Sequence, residues 1–144
     1  MPLPTLSVDY AKDFALDLSG DLVLDSTGDI ACVLGMQVLQ QEIAVRMRTL
    51  KGDYFYQPQC GTLLETLIGQ PNSPYVRALG ESMIQDALTH DGLLTENSLS
   101  VISVEQDAST ILFVILVDPS VYGYAETNAL SLEFTFDLHE GSLL

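Results

Sequence analysis

Three carboxylates, Glu42, Asp53 and Glu65, are near enough in sequence to suggest the acid and base of a glycoside hydrolase. That chemistry needs two carboxyl groups about 5 to 10 Å apart. With 20 acidic residues in a chain of 144, some pair at that separation arises by chance, so spacing alone does not select these. Glu42 stands four residues before Arg46, the favourable order for a helix ion pair, and Glu65 closes a Thr62-Leu63-Leu64-Glu65 capping box. Both carboxylates therefore have structural roles available. His90 and His139 are isolated, without Cys/His spacing for zinc, and no nucleophile elbow or phosphate-binding glycine loop occurs. Asp9, Asp13, Asp17, Asp21, Asp25 and Asp29 recur at every fourth position, which invites a calcium reading. They lack the D-x-D-x-D-G order and closing Glu of an EF-hand, and aspartates in turns and at strand ends fit better. No catalytic residue, metal or cofactor is expected.

A second kind of chemistry, recognition, is carried by residues 39–64. Arg46, Arg48 and Lys51 are three of only five basic residues in a chain of net charge −15, and Tyr54, Phe55 and Tyr56 follow directly. Cations in the last turn of a helix are also welcomed by its dipole, which accounts for part of the cluster. Tyr and Arg are the residues that most often anchor protein interfaces, so Arg46, Arg48, Lys51, Tyr54 and Tyr56 are the candidate docking residues.

The elements that position them follow from the pattern. Hydrophobic content of 47% and charged content of 17% describe one globular domain. The acidity argues against a nucleic-acid partner, and no apolar segment reaches the ~20 residues that span a bilayer. There is no basic, apolar secretory leader, so the chain is expected to fold in a cytoplasm. Cys32 and Cys60 are read as reduced packing residues. Residues 1–13 form an arm, 14–138 the domain and 139–144 a tail. Period-two alternation predicts strands over 14–18 and 21–25 around a Ser19-Gly20 turn, and another over 30–33.

Met36, Leu39, Ile43, Met47 and Leu50 give the apolar stripe of a first helix, on which Arg48 points away from the core. Residues 53–57 read as an extended connector, 62–69 as a short capped helix, and Ser73-Pro74 as the start of a helix to Thr89 with Val76, Leu79, Met83, Ala87 and Leu88 inward. The last third is β: an alternating strand over 99–105, an unbroken apolar strand over 111–117 covered on both faces, a loop over 119–127, and a strictly alternating strand over 130–138. Leu130, Leu132, Phe134 and Phe136 share one face of that last strand, an edge that could add a partner's strand. The class is α+β: an N-terminal β-hairpin, two longer helices and one short one on a small, mostly antiparallel sheet.

These pieces together resemble a known family. Gly28-Asp29-Ile30, Gly35, the helix run Gln41 to Thr49, then Gly52, Pro58, Gly61 and Leu64 are similar to the W-protein family of contractile-tailed phages, closest to its Mu-like branch. Relatives occur in type VI secretion baseplates. The resemblance covers about residues 14–138. It implies a structural baseplate protein of the virion that docks on wedge subunits, stands in several copies around the tail tube, and presents the strand over 130–138 to the first sheath subunits. Many members carry a Glu-Pro-Arg triplet after the second helix; here that place reads His90-Asp91-Gly92-Leu93, so its wedge contacts do not transfer. Some relatives are described as lysozyme-like, which leaves peptidoglycan cleavage as the alternative.

Overall fold

Two short strands and a helix begin the computed structural model, which describes residues 12–17, 19–118 and 129–143. Strand β1 (Lys12–Phe14) pairs antiparallel with β2 (Cys32–Leu34), with Phe14 opposite Cys32. The strands expected over 14–18, 21–25 and 30–33 are shorter than the alternation suggested: between β1 and β2, among the described residues, the single bridges Leu16–Leu22 and Leu24–Ile30 form in place of longer ladders. The reason is a turn that occurs twice. Asp17 Oδ1 accepts from the Ser19 N–H (2.8 Å), the Ser19 hydroxyl (2.6 Å) and the Asp21 N–H (3.0 Å). Asp25 Oδ1 does the same with Thr27 N–H (2.8 Å), Thr27 hydroxyl (2.5 Å) and Asp29 N–H (3.1 Å). Each turn needs a left-handed glycine, Gly20 at φ 90° and Gly28 at φ 85°. These bonds hold both carboxyls below the ordinary aspartate range, through the Ser19 hydroxyl first in Asp17 and the Thr27 hydroxyl first in Asp25. Four of the six aspartates at that spacing, Asp17, Asp21, Asp25 and Asp29, thus belong to turn chemistry.

Helix α1 (Met36–Arg48) buries Met36, Leu39, Ile43 and Met47, as the stripe predicts. It ends two residues before Leu50, which instead bridges to Thr62: Thr62 N–H donates to the Thr49 carbonyl and Lys51 N–H to the Thr62 carbonyl, both at 2.9 Å. Gly61 (φ 107°) makes this closure possible, because a Cβ there would meet the Thr49 carbonyl carbon at 2.8 Å. The Thr62/Glu65 capping box does not form. The short element is a 3-10 turn, Leu64–Leu67, whose preceding residue is Leu63 and which has no side-chain cap.

Helix α2 (Pro74–Thr89) starts where Ser73 and Pro74 place it, with the Ser73 hydroxyl accepting from Val76 N–H at 3.2 Å. Its inner face is rotated from the expected one: Gly80 and Ile84 are buried, Leu79 is exposed and Met83 half-buried. Gly80 faces the sheet, where an added Cβ would lie 2.6 Å from Phe113 Cζ. Gly80→Leu is therefore expected to overpack this contact and cost about 1–3 kcal/mol, measured by urea unfolding.

The sheet is β3 (Leu99–Glu105), β4 (Thr110–Val117) and β5 (Leu130–Asp137), antiparallel in the order β3-β4-β5. β4 is central as expected, but only its Ile111, Phe113, Ile115 and Val117 face is fully buried. Its other apolar residues, Leu112, Val114 and Leu116, are half-buried beside Ile102 (46% exposed) and Val104 (47% exposed). The continuous apolar run therefore reflects a central strand whose second face is only partly covered among the described residues. The loop expected over 119–127 lies outside those residues, as do 1–11 of the arm. Lys12 and Asp13, assigned to the arm, belong to β1. In the tail, Gly141 N–H donates to the Asp137 carbonyl and Leu143 bridges Phe136.

Candidate functional site

Arg46 follows Ile43 by three residues and so falls on the inner side of α1, where it is 5% exposed. Its Nε donates to Glu42 (3.1 Å); Nη1 donates to the Ala87 carbonyl (3.2 Å) and Asp91 Oδ1 (2.8 Å), and Nη2 to Asp91 Oδ2 (2.5 Å). This two-pronged pair ties α1 to the end of α2. Arg46 is thus an internal strut rather than an exposed docking cation, and Asp91 is spent on it. The pair raises the Arg46 pKa, chiefly through the bond to Asp91, and draws the Asp91 carboxyl down to about 2 from 3.8. A carboxyl depressed in the fold gives stability that is full above its unfolded value and lost as pH falls toward 2. Because the Asp91 side chain is 41% exposed, the loss discounts to on the order of 1 kcal/mol. An acid titration of thermal stability should show it between about pH 4 and 2, and an Asp91→Asn chain should lack that component.

The other candidate residues separate into two places. Arg48 and Lys51 are exposed, and the segment after them is a chain of turns instead of an extended connector. Asp53 N–H donates to Leu50, Gln57 to Tyr54 and Cys60 to Gln57, each a three-residue return. The turns push Phe55 (85% exposed) and Tyr56 (81% exposed) outward with Tyr54, edge to face at 5.4 and 6.0 Å between centroids. Phe55, the most exposed of the three, stands in the aromatic run read from sequence but not among the candidate docking residues; the mutual support of three consecutive aromatic rings is visible only once the turns are known.

Leu130, Phe134 and Phe136 face the core and are buried, and Leu132 is half-buried. Their side chains are therefore engaged at home, and what β5 offers outside is backbone. Leu138 N–H donates to Ser109 on the β4 side, whereas Asp137 N–H donates to Ser142 on the opposite side. Since N–H direction alternates along a strand, Ser131, Glu133 and Thr135 direct their N–H and C=O groups to the outer edge. Residues 141–143 already occupy its end at Phe136–Asp137.

Beside this edge runs a groove of about 780 Å³. Its floor is the flank of α1 at Ala44 and Val45, one wall is the hairpin at Leu16 and Val33, and Leu132 closes the other. The Gln41 side chain fixes the hairpin wall, donating to the Phe14 carbonyl (2.7 Å) and accepting from Leu16 N–H (2.9 Å).

Of the carboxylates weighed for catalysis, Glu42 is bound to Arg46, and Asp53 and Glu65 are exposed on separate turns. Cys32 and Cys60 are free thiols, and Cys32 is exposed instead of packed. Among the described residues no His/Cys/Asp/Glu group could hold a metal, and no helix is long and apolar enough to cross a membrane.

Residues 12–115 match the family model of the contractile injection system sheath initiator. The chain belongs to that family. Membership gives this sheath initiator a structural role in a contractile tail, at the baseplate end where sheath and baseplate components meet. No protein of curated function matches the sequence. Among solved structures, a Geobacter sulfurreducens protein provisionally described as a tail lysozyme is similar in fold, with a TM-score of 0.57 and 18% identity over 85% of this chain and all of that one. At that identity the likeness extends to the fold alone.

Proposed function

We propose that this sheath initiator starts the sheath by offering the outer edge of β5 to a strand of the first sheath subunit, while the aromatic turn over 54–56 with Arg48 and Lys51 docks on wedge subunits. The observation that carries the reading is the outward backbone at Ser131 and Glu133, on a strand whose inner side chains are anchored in the core. An edge held rigid from within is a template for strand addition, because backbone bonds form without the strand having to order first. Removing residues 129–144 is not a usable test, since Leu130, Phe134, Phe136 and Leu138 belong to the core and the chain would not fold. Mixing the intact chain with purified sheath subunit should seed ordered sheath visible by electron microscopy. Sheath that starts equally often without it would contradict the proposal.

A second reading is peptidoglycan cleavage by Glu42 or Glu65 with Asp53, favoured only by the description of the Geobacter sulfurreducens protein. Turnover on purified peptidoglycan that disappears in Glu65→Gln would support it. Glu42 bound to Arg46 speaks against a free general acid there.

A further inference from the structure

We propose that the N-terminal hairpin is a docking knob whose exposed apolar side binds a baseplate protein surface that is apolar at its centre and basic at its rim. The inference rests on the baseplate-docking reading and adds a second contact with its own chemistry. Three strand segments close on one another in the knob. Ala15 N–H donates to the Ala31 carbonyl (2.9 Å), Ala31 N–H to that of Val23 (2.8 Å) and Val23 N–H to that of Ala15 (3.2 Å). This ring of backbone bonds, with Gln41 tying Phe14 and Leu16 to α1, orders the surface before any partner arrives.

The side chains on it are distributed against the usual order. The small Ala15, Val23 and Ala31 are half-buried, whereas Phe14, Leu22 and Leu34 are each 54% exposed and Leu24 is 63% exposed. Ile30 is exposed as well. Pairing joins these residues into one surface: Leu24 lies opposite Ile30, Phe14 opposite Cys32, Leu16 opposite Leu22, and Leu34 two positions after Cys32. Large apolar groups left outside while small ones are covered forfeit burial that the reverse arrangement would gain. A patch of this kind, on the order of a few hundred Å², marks a contact with another protein.

Charge says what fits it. Residues 12–34 hold five aspartates, Asp13, Asp17, Asp21, Asp25 and Asp29, against one cation, Lys12. All five are exposed. The Asp17–Asp21 turn directly follows the Leu16–Leu22 bridge, and the Asp25–Asp29 turn the Leu24–Ile30 bridge, so both acidic turns edge the apolar surface. A partner bearing carboxylates there would be repelled, as would a second copy of this chain meeting it through the same face. Lys or Arg must stand opposite the turns.

The test adds the full chain to purified baseplates assembled without it and measures binding by co-sedimentation. Leu22→Ser with Leu24→Ser removes exposed apolar surface, so the native unfolding temperature should be kept while binding weakens at least about tenfold. Asp21→Asn with Asp29→Asn leaves the backbone bonds to Asp17 and Asp25 in place. It should weaken binding at about 0.1 M salt, with the difference closing near 1 M. Cys32, exposed within the patch, is the reporter in a Cys60→Ser chain, and its alkylation should slow when the chain is bound. Folded Leu22/Leu24 variants that bind like the native chain, or Cys32 alkylated equally fast free and bound, would overturn the knob proposal. So would slow alkylation in the isolated chain, which would mean that its own residues or a second copy cover the patch. If Lys51→Glu alone weakens binding, docking by the aromatic turn stands and only the knob falls; if no variant changes binding, both fall.

Discussion

Asp91→Ala is expected to cost about 3 kcal/mol of folding stability, a fall of about 10 °C in the unfolding midpoint. Removing the carboxylate leaves the Arg46 guanidinium, 5% exposed, with Glu42 as its remaining acidic partner. A buried charge that has lost its two-pronged partner costs far more than the pair contributes when intact. The reverse change should be milder. Arg46→Met replaces the charge with an apolar chain of similar length and returns two half-exposed carboxylates to water, so a cost of about 1–2 kcal/mol is expected. Chemical denaturation of both variants would measure the asymmetry. Equal costs would mean that Arg46 acts through packing and not through charge.

The second large effect concerns assembly. Glu133→Pro removes one N–H and adds a ring on the outer edge of β5, while the ladder to β4 runs through Leu130, Leu132, Phe134 and Phe136. Proline is tolerated on edge strands where its missing donor faces outward, so the fold should persist. Loss of one backbone bond to an incoming strand, about 1.5 kcal/mol, together with the clash of the ring, should reduce sheath starts at least about tenfold. Glu133→Thr keeps the donor and should start sheath normally. Counting starts per initiator by electron microscopy checks both.

Local chemistry made much of this fold legible. Ser73 and Pro74 set the start of α2 because cap and first-turn residues act within four positions of each other. Met36, Leu39, Ile43 and Met47 placed α1, and the alternation over 130–138 placed β5 with its inner face. What was hidden depends on partners far along the chain. Arg46 pairs with Asp91 across 45 positions, and i to i+4 logic sees only Glu42. Its place seven residues after Leu39 was the available signal, since that spacing returns to the same side of a helix. The rotated face of α2 turns on Gly80 making room for Phe113, which no helical pattern marks. The eight-residue recurrence from Asp17 to Asp25, each with Ser or Thr two positions on and Gly-Asp after it, was legible and explains the hairpin's short strands better than alternation does. The docking residues divided because type and spacing do not tell an inward arginine from an outward one. Phe55 emerged only with the turns that expose it.

The central claim is that β5 receives a sheath strand along its outer edge. Amide exchange at Ser131 and Glu133, followed with and without purified sheath subunit, tests it at the bonds concerned. Both amides should slow when sheath starts, and the slowing should vanish for the Glu133 neighbourhood in Glu133→Pro. Sheath that starts while both amides exchange at the free rate would contradict the claim.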